Sequence, residues 1–401
     1  MKSIRTFKFR CYPTKNQIVK LESILEASRL MYNKLLEIEK LFLEKGESAI
    51  LGYDLLSYTD HNKDDFINLK DIPSSSRSYI VDRISDALKA YFKKIRKFPR
   101  FKSKGQYKSI IFSKSYLNKS FLKKENKIRL PILGYIKTIS DRQLPDKKIF
   151  TVTIKKNQCN QWFISIVMEI DIEPKIKETN IKVGGDLGIS KLLTLSDGTV
   201  FENPRFYKKS LDRLKVLSRK HSKKVKGSKN REKSRMKLAK QHLKIENQRK
   251  NYLHNISKKL VEKYSFIALE DLNLKKMVEK GKEKFNPFSK SILDSGWGIL
   301  KYQLEYKSQI NTCTIKYVDP RNTSQTCSSC NTLLTNKLQL NQRTFNCENE
   351  KCKLSIDRDL NAARNILRLS ISGMHKPKES VEVTSKGTYE AENFDRKEKV
   401  L

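Results

Sequence analysis

No stretch of this 401-residue chain approaches the ~18 consecutive apolar residues of a membrane-spanning helix, so a membrane partner is not expected. The opening MKSIRTFKFRCYPTK has no apolar signal-peptide core, which makes a cytoplasmic location the expectation. Acid is scarce: 44 Asp and Glu stand against 84 Lys and Arg, a net charge of +40. No fold needs such an excess. It is the electrostatic footprint of a protein that meets a polyanion, nucleic acid first. Cysteine is too sparse and too odd in number for a disulfide framework, since there are seven. Cys11, Cys159 and Cys313 stand alone in or beside strand-like runs and read as core thiols, and the other four are clustered.

Residues 4–12, IRTFKFRCY, have the β-branched and aromatic content of a strand that ends at Pro13. Thr14 and Gln17 form a capping-box pattern, and Ile18, Leu21, Leu25, Met31, Leu35, Ile38 and Phe42 recur at helical spacing up to Gly46. A second amphipathic helix runs through Ile80, Ile84, Leu88 and Ile95. The loop Lys97–Lys104 alternates basic residues with Phe98 and Phe101, which suits contact with a nucleic-acid backbone and base stacking. Ser109 to Ile170 reads as strands, with a hairpin turning near Asn157 to Asn160. The economical arrangement is a β-barrel with a helical domain inserted after its first strand. Glu173 to Asn180 reads as a linker.

Residues 181–203 carry an apolar strand into Gly184-Gly185-Asp186-Leu187-Gly188, then a hairpin across Asp197-Gly198. An RNase H-like α/β sheet begins this way. Between 205 and 264 there are 22 Lys or Arg and 4 Asp or Glu, on two long helices around a loop near 225–229. That ratio is too lopsided for a self-neutralising surface and suggests a wall for nucleic acid. Ser265–Leu272 is a buried-type strand ending in Glu270 and Asp271, and Cys313–Val318 is another. A helix covers Asn361 to Leu369, and 373–401 has the composition of a disordered tail.

Three carboxylates stand at strand ends or a helix start: Asp186, Glu270 and one of Asp357 or Asp359. Two-metal phosphodiester hydrolysis needs carboxylates that hold two Mg²⁺ or Mn²⁺ ions ~3.5–4 Å apart. Gly185 and Gly188 around Asp186 suit close approach of phosphate and metal to the backbone. Asp359 precedes Ala362 and Ala363, whose small side chains let that helix lie on the sheet over the Asp186 strand end. Asp357 is then free to cap the helix. Cys327, Cys330, Cys347 and Cys352 form Cys-x₂-Cys-x₁₆-Cys-x₄-Cys, a four-thiolate pattern for structural Zn²⁺ with no histidine.

The chain resembles the TnpB (OrfB-type) proteins of insertion sequences, relatives of the type V CRISPR effectors. The stretches that carry the resemblance are FKFRCYPTKNQ (7–17), FPRFKSK (98–104), GGDLGISKLLTLSDG (184–198), IALEDLNLKKM (267–277), GWGILKYQLEYK (296–307), DPRNTSQTCSSC (319–330) and DRDLNAARNIL (357–367). Asn331 stands where that family often has glycine, and the second cysteine pair is wider than usual. The resemblance implies a wedge β-barrel (1–13 and 105–175) and a helical recognition domain (14–104). It also implies a RuvC-like nuclease domain (176–323 and 357–372, with the basic helices 205–264) and a zinc ribbon (324–356). It implies cleavage of double-stranded DNA beside a short flanking motif, guided by an RNA from the mobile element, and nucleoid association through DNA. Asp186, Glu270 and Asp359 match the family's nuclease acids. Two other functions fit the same chain: a non-catalytic regulator of transposition, or a strand-transfer transposase.

Overall fold

Residues 2–12 alternate outward charge with inward Phe7, Phe9 and Cys11, and this period of two makes Lys2–Tyr12 the first strand, β1. The computed structural model describes residues 2–113, 123–124, 126–139, 144–145, 147–173, 180–279, 288–339 and 341–372; the expected tail at 373–401 and most of the linker lie outside them. The chain divides into two compact units, Lys2–Asp171 and a second beginning at Ile172.

In the first unit, helix α1 (Lys15–Glu44) starts on a complete capping box: the Thr14 hydroxyl accepts from the Gln17 amide, and the Gln17 side chain accepts from the Thr14 amide. Helices α2 (Tyr53–His61) and α3 (Ser74–Phe92) complete the insertion. Strands β2 (Ser109–Ser113), β3 (Lys123–Lys124), β4 (Lys127–Leu130), β5 (Gly134–Ile139), β6 (Ile149–Lys156) and β7 (Trp162–Asp171) join β1 in one antiparallel sheet, ordered β2-β6-β7-β1-β5-β4-β3. Among the described residues β2 and β3 are edges that do not pair, so the sheet is open where a barrel was expected.

The second unit contains a five-stranded sheet ordered β10-β9-β8-β11-β12. Its strands are β8 (Lys182–Asp186), β9 (Lys191–Leu195), β10 (Val200–Glu202), β11 (Phe266–Glu270) and β12 (Thr314–Val318). β8, β9 and β10 form an antiparallel meander, whereas β8, β11 and β12 run parallel. Helices α4 (Phe206–Ser222) and α5 (Lys229–Lys263) connect β10 to β11, and α6 (Leu274–Glu279), α7 (Ser289–Ser295) and α8 (Trp297–Ile310) connect β11 to β12. A short hairpin, β13 (Thr344–Asn346) and β14 (Ser355–Asp357), then leads into helix α9 (Arg358–Ile371).

Strand alternation gives this sheet two buried faces. Val183, Ile267 and Leu269 pack with Leu253, Leu260, Trp297 and Leu304 of α5 and α8. The intervening Ala268 packs with Ile366 of α9. Between 205 and 244 the one buried residue is Leu214, so the outer part of the basic hairpin is a solvated, cationic projection. Its base is fixed by a buried ion pair, Arg249 Nη2 to Asp294 Oδ1 at 3.0 Å. Asp294 also accepts from the amides of Tyr207 and Lys208, capping α4 from another element.

Candidate active site

Asp186 is the last residue of β8, and Glu270 is the last of β11. The parallel register pairs Ala268 with Gly184 and Leu269 with Gly185, so the next residues, Glu270 and Asp186, end neighbouring strands on the same face. That face is covered by α9. A Cβ added to Gly184 would lie 2.2 Å from the carbonyl oxygen of Ala363, which leaves room only for glycine. From Gly184 to Asp186 the strand advances about 6.6 Å. From Ala363 back to Asp359 the helix covers about 6 Å, so Asp359 is carried to the Asp186 end of the contact. Ala362 and Ala363 are both buried at this contact.

Electrostatics agree with the geometry. Burial pushes the Asp186 carboxyl well above its ordinary range, and the charges of Glu270 and Asp359 push it further. Burial also raises Glu270, against a hydrogen bond from the Thr323 hydroxyl at 2.6 Å and the nearby Lys301 ammonium. Asp357 behaves differently. Its Oδ1 accepts from the amides of Asp359 at 2.9 Å and Leu360 at 3.1 Å, and its Oδ2 pairs with Lys191 at 2.8 Å. Partial burial would raise it, but Lys191 and the helix amides outweigh that and hold it below its usual range. Asp357 therefore caps α9.

The glycines beside Asp186 serve the protein's own packing. A Cβ on Gly185 would meet Leu193 and Leu269 at 2.8 and 3.0 Å, and one on Gly188 would meet the Lys191 carbonyl at 2.7 Å. Their smallness is used by core and turn, a packing role not expected from the sequence. Lys301 and Thr323 were not singled out from sequence. Lys301 lies under the Tyr317 ring, 3.8 Å from Asp271. Its one signal is helical phase: it stands four residues before Glu305, which accepts from the Tyr317 hydroxyl.

Among the described residues, Cys327, Cys330, Cys347 and Cys352 are the one group of three or more candidate metal ligands whose ligand atoms all lie within 4.8 Å. The Cys327–Cys352 and Cys330–Cys347 sulfur separations are 3.8 and 3.4 Å. A tetrahedron with Zn–S bonds of ~2.3 Å has edges of about 3.8 Å, so the quartet fits one such ion despite its wide second pair. Thr332 beside Cys330 draws that thiol down to about 6, while burial pushes Cys347 up to about 12, and a dication bound by all four as thiolates would displace the Cys347 proton. Phe345 and Leu334 form the small apolar core beneath the cysteines.

In the first unit, the loop 97–104 is pinned to α1, with the Lys102 amide donating to Asn33 Oδ1 at 2.8 Å and the Lys102 carbonyl accepting from Arg29 and Asn33. Phe98 packs edge-on against Tyr91, whereas Phe101 is half exposed. One ring anchors the loop and the other is available.

Three family models match the sequence. The probable transposase model OrfB_IS605 covers 165–281, a Cas12f1-like TNB domain covers 297–366, and a helix-turn-helix model covers 1–47. In this chain the last of these stretches is β1 followed by the 30-residue α1. A putative RNA-guided DNA endonuclease of Streptomyces pristinaespiralis is 32% identical over 92% of this chain and 90% of its own length. The putative RNA-guided DNA endonuclease InsQ of Escherichia coli K12 is also 32% identical, over 92% of each chain. The chain belongs to the TnpB (OrfB-type) family. The fold extends to a more distant protein. The Cas12f1 chain of a Cas12f1–sgRNA–target DNA complex matches with a TM-score of 0.52 and 16% identity, over 91% of this chain and 98% of that one. No helix among the described residues is long and apolar enough to cross a membrane.

Proposed function

We propose that this chain is a DNA endonuclease encoded by a mobile element, guided by a bound RNA and dependent on divalent metal, which cuts double-stranded DNA beside a short flanking motif. The observation that carries the chemistry is the convergence of Asp186 and Glu270 on adjacent strand ends, under the helix that bears Asp359. A carboxyl raised by burial and by two neighbouring carboxylates, as Asp186 is, marks a donor set suited to hard dications. The sheet order, with a three-stranded meander followed by two parallel strands, supports an RNase H-like, RuvC-type assignment for 176–323 and 357–372. The open antiparallel sheet would then be the wedge domain, the inserted helices the recognition domain, and 324–356 the ribbon.

In this reading Asp186, Glu270 and Asp359 would hold Mg²⁺ or Mn²⁺. Ions bound there supply an activated water and stabilise the charge on the leaving oxygen. The chain's own contribution is to bring the three carboxylates to one end of the sheet, to bury Glu270, and to reserve Asp357 for the helix cap. Cys327, Cys330, Cys347 and Cys352 would hold one structural Zn²⁺, which fixes the segment between β12 and α9. Guide pairing would supply sequence specificity, while the protein reads backbone shape and the flanking motif. The solvated basic hairpin and the exposed Phe101 are surfaces suited to phosphate and base contact. Names of the relatives support an RNA guide and a DNA substrate. The test is to sequence the RNA that co-purifies with the chain and to ask whether that RNA programs cleavage of a matching plasmid. Absence of any co-purifying RNA that programs cutting contradicts the proposal.

A further inference from the structure

Glu270 is 7% exposed, and one hydroxyl reaches it. That hydroxyl belongs to Thr323, itself 3% exposed and 53 residues further along the chain. Its oxygen lies 2.6 Å from Glu270 Oε1 and 3.1 Å from the Pro320 carbonyl. A threonine has one hydroxyl proton, and the shorter, charge-assisted contact takes it.

Thr323 is held in turn by α9. The Asn365 side-chain amide donates to the carbonyls of Thr323 at 2.9 Å and Thr326 at 2.6 Å. One turn earlier, Asn361 donates to the Thr326 carbonyl at 2.8 Å and accepts from the Ser328 amide at 2.9 Å. Both asparagines are fully buried, where a lost partner is costly. The same helix carries Asp359, and the segment it grips runs directly into Cys327. Glu270, Asp359 and the start of the ribbon are therefore bonded into one frame.

We infer that Thr323 is a positioning residue: its hydroxyl fixes the carboxylate of Glu270 for metal binding, and Asn365 fixes Thr323 to the helix that bears Asp359. The inference rests on the reading of Asp186, Glu270 and Asp359 as a divalent-metal site. Loss of a partner that orients a metal-binding carboxylate weakens metal affinity by about 10- to 100-fold.

The test uses the full chain, zinc-loaded and without RNA, and measures Mn²⁺ binding from the spectroscopic signal of the free ion. Asp186→Ala identifies which binding belongs to the acid site. If Asp186→Ala removes no Mn²⁺ binding, the metal-site reading and the inference fall together. If it does, Thr323 is judged separately. Thr323→Val, which keeps the shape and deletes the hydroxyl, is expected to weaken that binding at least about tenfold. Thr323→Ser, which restores the hydroxyl, is expected to bind within about twofold of the parent. Zinc content and melting temperature report folding, and Thr323→Ala replaces the valine variant if that one does not fold. Parent-like Mn²⁺ affinity in a folded variant without the hydroxyl, or a serine variant as weak as the valine one, overturns the role assigned to Thr323.

Discussion

Gly184 and Ala363 touch backbone to backbone: the place a Cβ would occupy on Gly184 is 2.2 Å from the Ala363 carbonyl oxygen and 2.6 Å from the Leu367 amide nitrogen. This contact sets the height of α9 above β8, and so the reach of Asp359 toward Asp186. Gly184→Ala cannot be absorbed by a rotamer change, because the clash is with helix backbone. The expected cost is about 1–3 kcal/mol of stability, with cleavage reduced further than stability alone explains. Denaturant melts read the first effect, and cleavage at a temperature where the variant is fully folded reads the second. Full cleavage in a destabilised variant would show that the height of α9 is not critical.

The four-cysteine cluster is expected to hold about one zinc per chain, as four thiolates around one ion require. Cys327→Ser should release most of it, since Cys327 is the fully buried member of the quartet and packs against the Phe345 core. Elemental analysis of purified protein reads this. Folded parent protein without zinc would contradict the assignment.

Glu39 offers a pH test remote from both sites. It is fully buried in α1, and burial pushes its carboxyl up to about 7, against the pull of the Ile50 amide. The folded value lies above the unfolded one. Below about pH 4.5 both states hold the proton and nothing is lost; as pH rises toward 7 the unfolded chain releases its proton first, and the folded state loses stability. The advantage of Glu39→Gln over the parent should therefore grow by about 1–3 kcal/mol between pH 5 and pH 8. Chemical melts at the two pH values measure it. A pH-independent difference would show that Glu39 is charged in the folded chain.

Asp186, Glu270 and the pair Asp357 and Asp359 stand out in the sequence because each ends an apolar run or starts a helix. Asp357 was legible as the helix cap because it stands directly before the first residue of α9, and its Oδ1 accepts from the amides of Asp359 and Leu360. The Thr14–Gln17 cap was legible for the same reason: its partners are three residues apart. What escaped was non-local. Thr323 meets Glu270 only after β11 and β12 are paired and the following turn has folded back. The purpose of Gly185 depends on Leu193 and Leu269, which arrive from two other strands. Among the described residues the first sheet is left open at β2 and β3, and alternating residues do not encode when a ladder closes. Helix α2 buries only Leu55 and Thr59, too few positions to show a helical period.

The most direct measurement is plasmid cleavage in Mg²⁺, programmed by the RNA that co-purifies with the chain, with the parent and Asp186→Ala compared at equal RNA and DNA occupancy. Loss of a ligand to ions that contribute several kcal/mol to the transition state should slow cutting by about 10³-fold or more while binding is unchanged. The account predicts a cut plasmid with the parent and an intact one with the variant. Continued cutting by Asp186→Ala would contradict it.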